Sequence, residues 1–156
     1  MTTSKAAISK HPLHPMIVPF PIAFLVGALA TDITYKSTLN PMWADFSKWL
    51  LLAGIVMGAF AAVLGLIDFT GIKRARSAVG WAHMGGNVLV MTLSIISLIL
   101  RWNAPVDGLE SGGFILSIVV SLLLVGTGWL GGELAYRHRV GVVDEPMHGQ
   151  TLHPAE

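Results

Sequence analysis

Four stretches of this sequence carry no Asp, Glu, Lys or Arg, and each is about as long as a bilayer is thick. They run Leu13–Thr31, Trp49–Ile67, Val79–Leu100 and Ser111–Gly132, at 19, 19, 22 and 22 residues. A helix rises about 1.5 Å per residue, so roughly 20 residues cross a hydrocarbon core of about 30 Å. None of the four shows the two-residue alternation of a barrel strand. In lipid every backbone amide needs an internal partner, which leaves the α-helix. The expected fold is all-α: an integral membrane four-helix bundle, threaded up-down-up-down because its connections are short. Helices are expected at about 15–36, 46–68, 79–101 and 112–137, within a transmembrane domain 13–139. An N-terminal segment 1–12 precedes it, and a polar tail 140–156 with Pro146 and Pro154, read as loop, follows.

Composition agrees and narrows the chemistry. The chain is 53% hydrophobic and 12% charged, against about 25% charged in a soluble domain. Cysteine is absent, which removes disulfides, thiolate metal sites, iron–sulfur clusters and covalently attached haem. A formal net charge of +1 gives no reason to expect nucleic acid as a partner. The first apolar run follows Lys5 and Lys10 and contains Ala28-Leu29-Ala30, features of a cleaved leader. Its His14, Pro15, Pro19 and Pro21 are foreign to a simple leader core, so it is read as a retained span.

Basic residues give the orientation. Lys5, Lys10, Lys73, Arg74, Arg76, Arg137 and Arg139 fall on the side of the termini, and Lys36, Lys48 and Arg101 on the other. Seven against three places both termini in the cytoplasm, with the bundle in the inner, cytoplasmic membrane. Trp43, Trp49, Trp81, Trp102 and Trp129 lie mostly near span ends, as interfacial anchors do. No internal repeat or low-complexity segment stands out. Gly54, Gly58 and Gly65 in the second span, with Gly85 and Gly86 in the third, suit close helix packing.

On this threading the ligand-capable side chains collect at one level. His11 and His14 open the first span, Asp68 ends the second, and His83 lies one turn into the third. Glu133 and His138 stand near the end of the fourth, and His148 and His153 follow in the tail. Ionisable groups at membrane depth are costly and usually face the bundle interior, paired or bound. Terminal histidines can instead cap helices or lie among headgroups, which suits His11, His148 and His153 best. His83 sits within a span with Asn87 one turn deeper on the same face. Pro15 fits a first helical turn, whereas Pro19 and Pro21 cannot donate to preceding carbonyls. Helix one should open irregularly between Pro15 and Pro21, holding His14 in a fixed, non-helical approach.

The segments His11-Pro-Leu-His-Pro-Met-Ile-Val-Pro-Phe-Pro21 and Gly131-Gly-Glu-Leu-Ala-Tyr-Arg-His-Arg-Val-Gly141 resemble the bacterial membrane family called domain of unknown function 2231. The resemblance runs from His11 to about Gly141 and implies a four-helix membrane domain. Some relatives carry fused Rieske-type iron–sulfur domains, which implies electron transfer. This chain has no such module, so any redox partner would be a separate protein.

The leading expectation is a b-type cytochrome for electron transport, with haem b held between His14 and His83 on diagonally opposite helices. His138 could replace either ligand, or pair with His11 at a second haem. Gly85 and Gly86 would admit the ring. Arg74, Arg76, Arg137 and Arg139, with Lys73, would face its propionates. A second expectation is non-haem iron, zinc or manganese held by His14, Asp68, His83, Glu133 and His138. A third is a cofactor-free role: a proton route using Asp32, Asp68 and Glu133, or an accessory subunit of a membrane complex. Quinone contact and oligomerisation are compatible with all three. Nucleophile-elbow and phosphate-loop motifs are absent. The methionines read as packing, with Met84 a remote axial candidate.

Overall fold

The computed structural model describes residues 3–9 and 11–141. Lys10, His148 and His153, with the tail beyond Gly141, lie outside the described residues. Within them are four helical segments long and apolar enough to cross a membrane. They are Leu13–Thr38, Pro41–Gly71, Ala78–Arg101 and Pro105–Arg137, here called spans one to four. The first, second and fourth extend beyond their expected ends. Span two has 31 residues and rises about 46 Å, so it outreaches a hydrocarbon core of about 30 Å.

Local chemistry sets the boundaries. Span one ends at Thr38, where Leu39 turns left-handed at φ 53 and its N–H donates to the Tyr35 carbonyl. Asn40 caps span two by accepting the Met42 N–H at 3.0 Å, with Pro41 at the first helical position. Ser77 caps span three through the Gly80 N–H at 3.2 Å. Span four starts at Pro105, earlier than expected. Gly112, at φ 143, breaks its helical path before Phe114, a conformation that suits glycine.

Gly80 and Gly85 separate two uses of glycine. A Cβ on Gly80 would collide with the Ala75 carbonyl oxygen, whereas one on Gly85 would meet nothing within 4 Å. Gly80→Ala is therefore expected to cost about 1–3 kcal/mol as backbone overpacking. Gly85→Ala should be neutral or slightly stabilising. Denaturation midpoints in detergent check both, and equal midpoints for the two variants would refute the contrast.

Span one packs on spans two and four, and span three packs on the same two. Spans one and three are thus diagonal, as threading implied. The buried positions then reveal a repeat. Leu25, Ala28 and Asp32 are buried in span one, and Ser94, Ser97 and Arg101 in span three (25 to 94, 28 to 97, 32 to 101). Ser47, Leu51, Gly54, Gly58 and Ala61 are buried in span two. Gly113, Ser117, Val120, Leu124 and Thr127 take the corresponding places in span four (47 to 113, 51 to 117, 54 to 120, 58 to 124, 61 to 127). The two hairpins, spans one and two and spans three and four, thus bury one and the same pattern of positions, as a parallel structural repeat would. The sequence shows no obvious repeat because these buried positions carry different residues in the two hairpins.

Candidate cofactor site at the histidine end

The first proline group does interrupt the helix. Helix Leu13–Ile17 meets helix Pro19–Thr38 at Val18, with Pro12 before the first turn. His14 is nevertheless helical, which corrects the expected non-helical approach. One turn suffices because Pro12 can precede it and the Val18 N–H still reaches the His14 carbonyl at 3.1 Å.

The two span histidines occupy corresponding places in the repeat (14 to 83) and make corresponding contacts. His14 Nδ1 lies 2.8 Å from the Ala61 carbonyl oxygen, and His83 Nδ1 lies 2.9 Å from that of Thr127. A Cβ on Gly65 would stand 2.9 Å from the His14 ring, and one on Gly131 would stand 3.2 Å from the His83 ring. Each imidazole therefore crosses to the partner helix of its own hairpin and rests on a glycine. Carbonyl oxygens only accept, so each Nδ1 carries a proton, and in a neutral ring Nε2 keeps its lone pair. This is the tautomer seen when imidazoles ligate metals: the outer nitrogen is tied and the other left for the ion. Asn87 Nδ2 lies 3.3 Å from His83 Nε2 and donates to the His83 carbonyl at 2.8 Å. The two rings are half-buried.

Other expected members of the site lie elsewhere. Gly85 faces outward, and Gly86 is filled by Thr127, whose Cγ2 would be 2.6 Å from an added Cβ. Neither makes room for a ring. His11 is exposed and turned onto the Ser9 carbonyl at 3.0 Å. His138 lines an outward cleft with Lys73, Arg74, Arg76, Ser77 and Arg137. Arg139 has a positive φ of 50 beyond the end of span four.

The five-residue non-haem set is not assembled: among the described residues, no three of His, Asp and Glu come together as a metal would require. The carboxylates explain why. Glu133 accepts from Arg137 at 2.9 Å. Asp68 accepts from Ser4 Oγ at 2.8 Å and from the Lys5 and Ala6 N–H groups at 2.7 and 3.1 Å. Residues 3–9 thus return to the end of span two as a strap. The N-terminal segment forms a two-stranded hairpin, β1 Ala7–Ile8 with β2 His11–Pro12, and Thr3 bridges to Gly141. Hydrogen bonds to a charged group are worth about 1.5–3 kcal/mol each. Asp68→Ala should therefore release the strap and speed tryptic cleavage after Lys5 at least tenfold. An unchanged rate would show that the strap is held by other contacts.

The far end holds the feature that sequence reading missed. Asp32 and Arg101, corresponding residues of the two hairpins, form a fully buried two-pronged ion pair at 2.6 and 2.9 Å. Ser47 and Ser117 accept from the same guanidinium at 2.8 and 3.1 Å. The charge count sets Arg101 beside Lys36 and Lys48 on the far side of the membrane. Being fully enclosed, it instead neutralises Asp32, which is thereby committed to a partner and unsuited to a proton route.

In comparison with known proteins, the sequence model of the family described as "Predicted membrane protein (DUF2231)" matches residues 10–144. No curated protein and no solved structure matches the chain.

Proposed function

The chain belongs to the domain of unknown function 2231 family of membrane proteins, and we propose that it binds haem b between His14 and His83 for electron transfer within the bilayer. The single observation that carries this reading is the pair of repeat-related imidazoles, each with Nδ1 tied to a backbone carbonyl. Donor number favours haem over a bare ion. Zinc or non-haem iron takes three or more protein ligands, whereas a porphyrin supplies four nitrogens and asks the protein for two. Bound haem would supply one-electron chemistry. The chain's part is to present both Nε2 lone pairs from diagonal helices and to fix each ring through the Ala61 and Thr127 carbonyls. Asn87 would have to swing from His83 Nε2 on binding. Electrons would pass to a separate redox protein or to quinone.

The orientation follows from charge. With Arg101 buried against Asp32, seven Lys and Arg remain at the histidine end against Lys36 and Lys48 at the other. That bias supports the histidine end and both termini in the cytoplasm, and the family resemblance suggests a bacterial inner membrane. A reduced-minus-oxidised spectrum of detergent-purified protein, expressed with haem supply, should show a sharp α-band. A colourless protein that stays unchanged on adding haemin refutes the reading.

A further inference from the structure

We propose that the cation-lined cleft at the histidine end is a headgroup site for an anionic phospholipid carrying two phosphates, of the diphosphatidylglycerol class. This site is separate from the imidazole pair and does not depend on the haem reading. The cleft has a volume of about 360 Å³ and is lined by Lys73, Arg74, Arg76, Ser77, Arg137 and His138. Its lining contains no carboxylate. Arg137 shares its charge with Glu133, but among the described residues no acid pairs with Lys73, Arg74 or Arg76.

The turn that carries these cations is built to aim them outward. Ile72 and Ala75 are buried at 0% and 4% exposure, so the intervening and flanking Lys73, Arg74 and Arg76 project from the core. Such a concentration of unpaired positive charge repels itself and invites an anion. The 24-residue span three begins directly after Ser77, so the positive end of its dipole adds to the same cleft.

The surroundings select a lipid over a soluble anion. Trp81, edge-on to Phe69 at 4.9 Å, is 55% exposed, and Tyr136 is 86% exposed. Trp81 stands one turn beyond Ser77 and Tyr136 directly before Arg137 in the chain, at the level where interfacial aromatics lie. Below them the outer faces of spans three and four expose Val88, Leu89, Val125 and Trp129, a surface for acyl chains. Basic pockets of this kind on the cytoplasmic side of membrane proteins take such headgroups. The cleft also exceeds what one phosphate fills, and three unpaired cations suit a double charge.

The test uses delipidated full-length protein in neutral detergent, titrated with diphosphatidylglycerol, phosphatidylglycerol and phosphatidylcholine and read by native mass spectrometry. One diphosphatidylglycerol per chain should be retained, at least tenfold more tightly than phosphatidylcholine. A Lys73→Ala/Arg74→Ala/Arg76→Ala variant should bind it roughly a hundred-fold more weakly, at about 1 kcal/mol per cation and 1.4 kcal/mol per tenfold. The control Lys36→Ala/Lys48→Ala, at the opposite end, should bind as wild type. Helical circular dichroism establishes folding, and Arg74→Lys/Arg76→Lys, which keeps the charge, should retain most of the affinity. Equal affinity for all three lipids, full retention by the triple variant, or displacement of the lipid by millimolar pyrophosphate would overturn the proposal. Repeating the titration on His14→Ala/His83→Ala protein separates the two readings, because the lipid should bind as before when the imidazoles are gone.

Discussion

Replacing either Asp32 or Arg101 alone by alanine is expected to destabilise the bundle by about 3–5 kcal/mol, the cost of leaving one buried charge without its partner. Both side chains are fully enclosed, and the pair is two-pronged at 2.6 and 2.9 Å. In a membrane interior an orphaned charge has no water to turn to. The double variant Asp32→Ala/Arg101→Ala should be more stable than either single variant, since both charges leave together. Ser47 and Ser117 then lose an ionic partner, but hydroxyls can turn to backbone carbonyls, as Ser47 already does toward Ala28 at 3.2 Å. Because the two residues hold corresponding places in the repeat, exchanging them as Asp32→Arg/Arg101→Asp should recover part of the loss. Recovery should improve with Ser47→Gly, because Gly113, the counterpart of Ser47, leaves the space that Arg101 occupies: a Cβ there would stand 2.6 Å from Nε. Denaturation midpoints in detergent, analysed as a double-mutant cycle, read all of this. Single variants within about 0.5 kcal/mol of wild type would mean the pair is solvated in the membrane.

The spans were legible because lipid imposes one requirement on every residue within it, and freedom from charge over 20 positions meets that requirement visibly. The same signal placed His14 and His83 at one level on diagonal helices. What stayed hidden depends on contacts between distant segments. Asp68 looked like a metal ligand because nothing in its neighbourhood shows that Ser4, Lys5 and Ala6 return to cap it. Arg101 follows an apolar run and so looked like a loop cation. A usable clue existed: Asp32 lies 18 residues after His14, and Arg101 lies 18 after His83 (14 to 32, 83 to 101). Two hairpins with one spacing place the acid and the base at one depth on diagonal helices, where they can meet across the axis. Gly85 misled in the opposite sense. A glycine beside a ligand candidate suggests room for a cofactor, but the helical rotation between positions 83 and 85 turns it to the outside.

On the proposed haem reading, removing either imidazole should abolish the α-band while leaving the bundle folded. If His14 and His83 together would hold the haem, His14→Ala and His83→Ala should each lose the α-band completely, with a second loss adding nothing. The structural contribution of the same residues is much smaller. Each makes one hydrogen bond to a neighbouring helix, and such bonds in membrane bundles average about 0.6 kcal/mol and reach about 1.7. The two roles therefore separate in magnitude: a total spectroscopic effect against a modest shift in stability. Asn87→Ala sharpens the comparison. Its side chain approaches His83 Nε2 at 3.3 Å, so it would compete with a bound haem for the same lone pair, and its removal should strengthen haem retention. A purely stapling histidine would respond differently, since losing Asn87 would leave any bound colour unaffected. If His14→Ala retained the wild-type α-band, the diagonal pairing would be wrong even with haem present, because no other described histidine makes the corresponding contact with a span backbone.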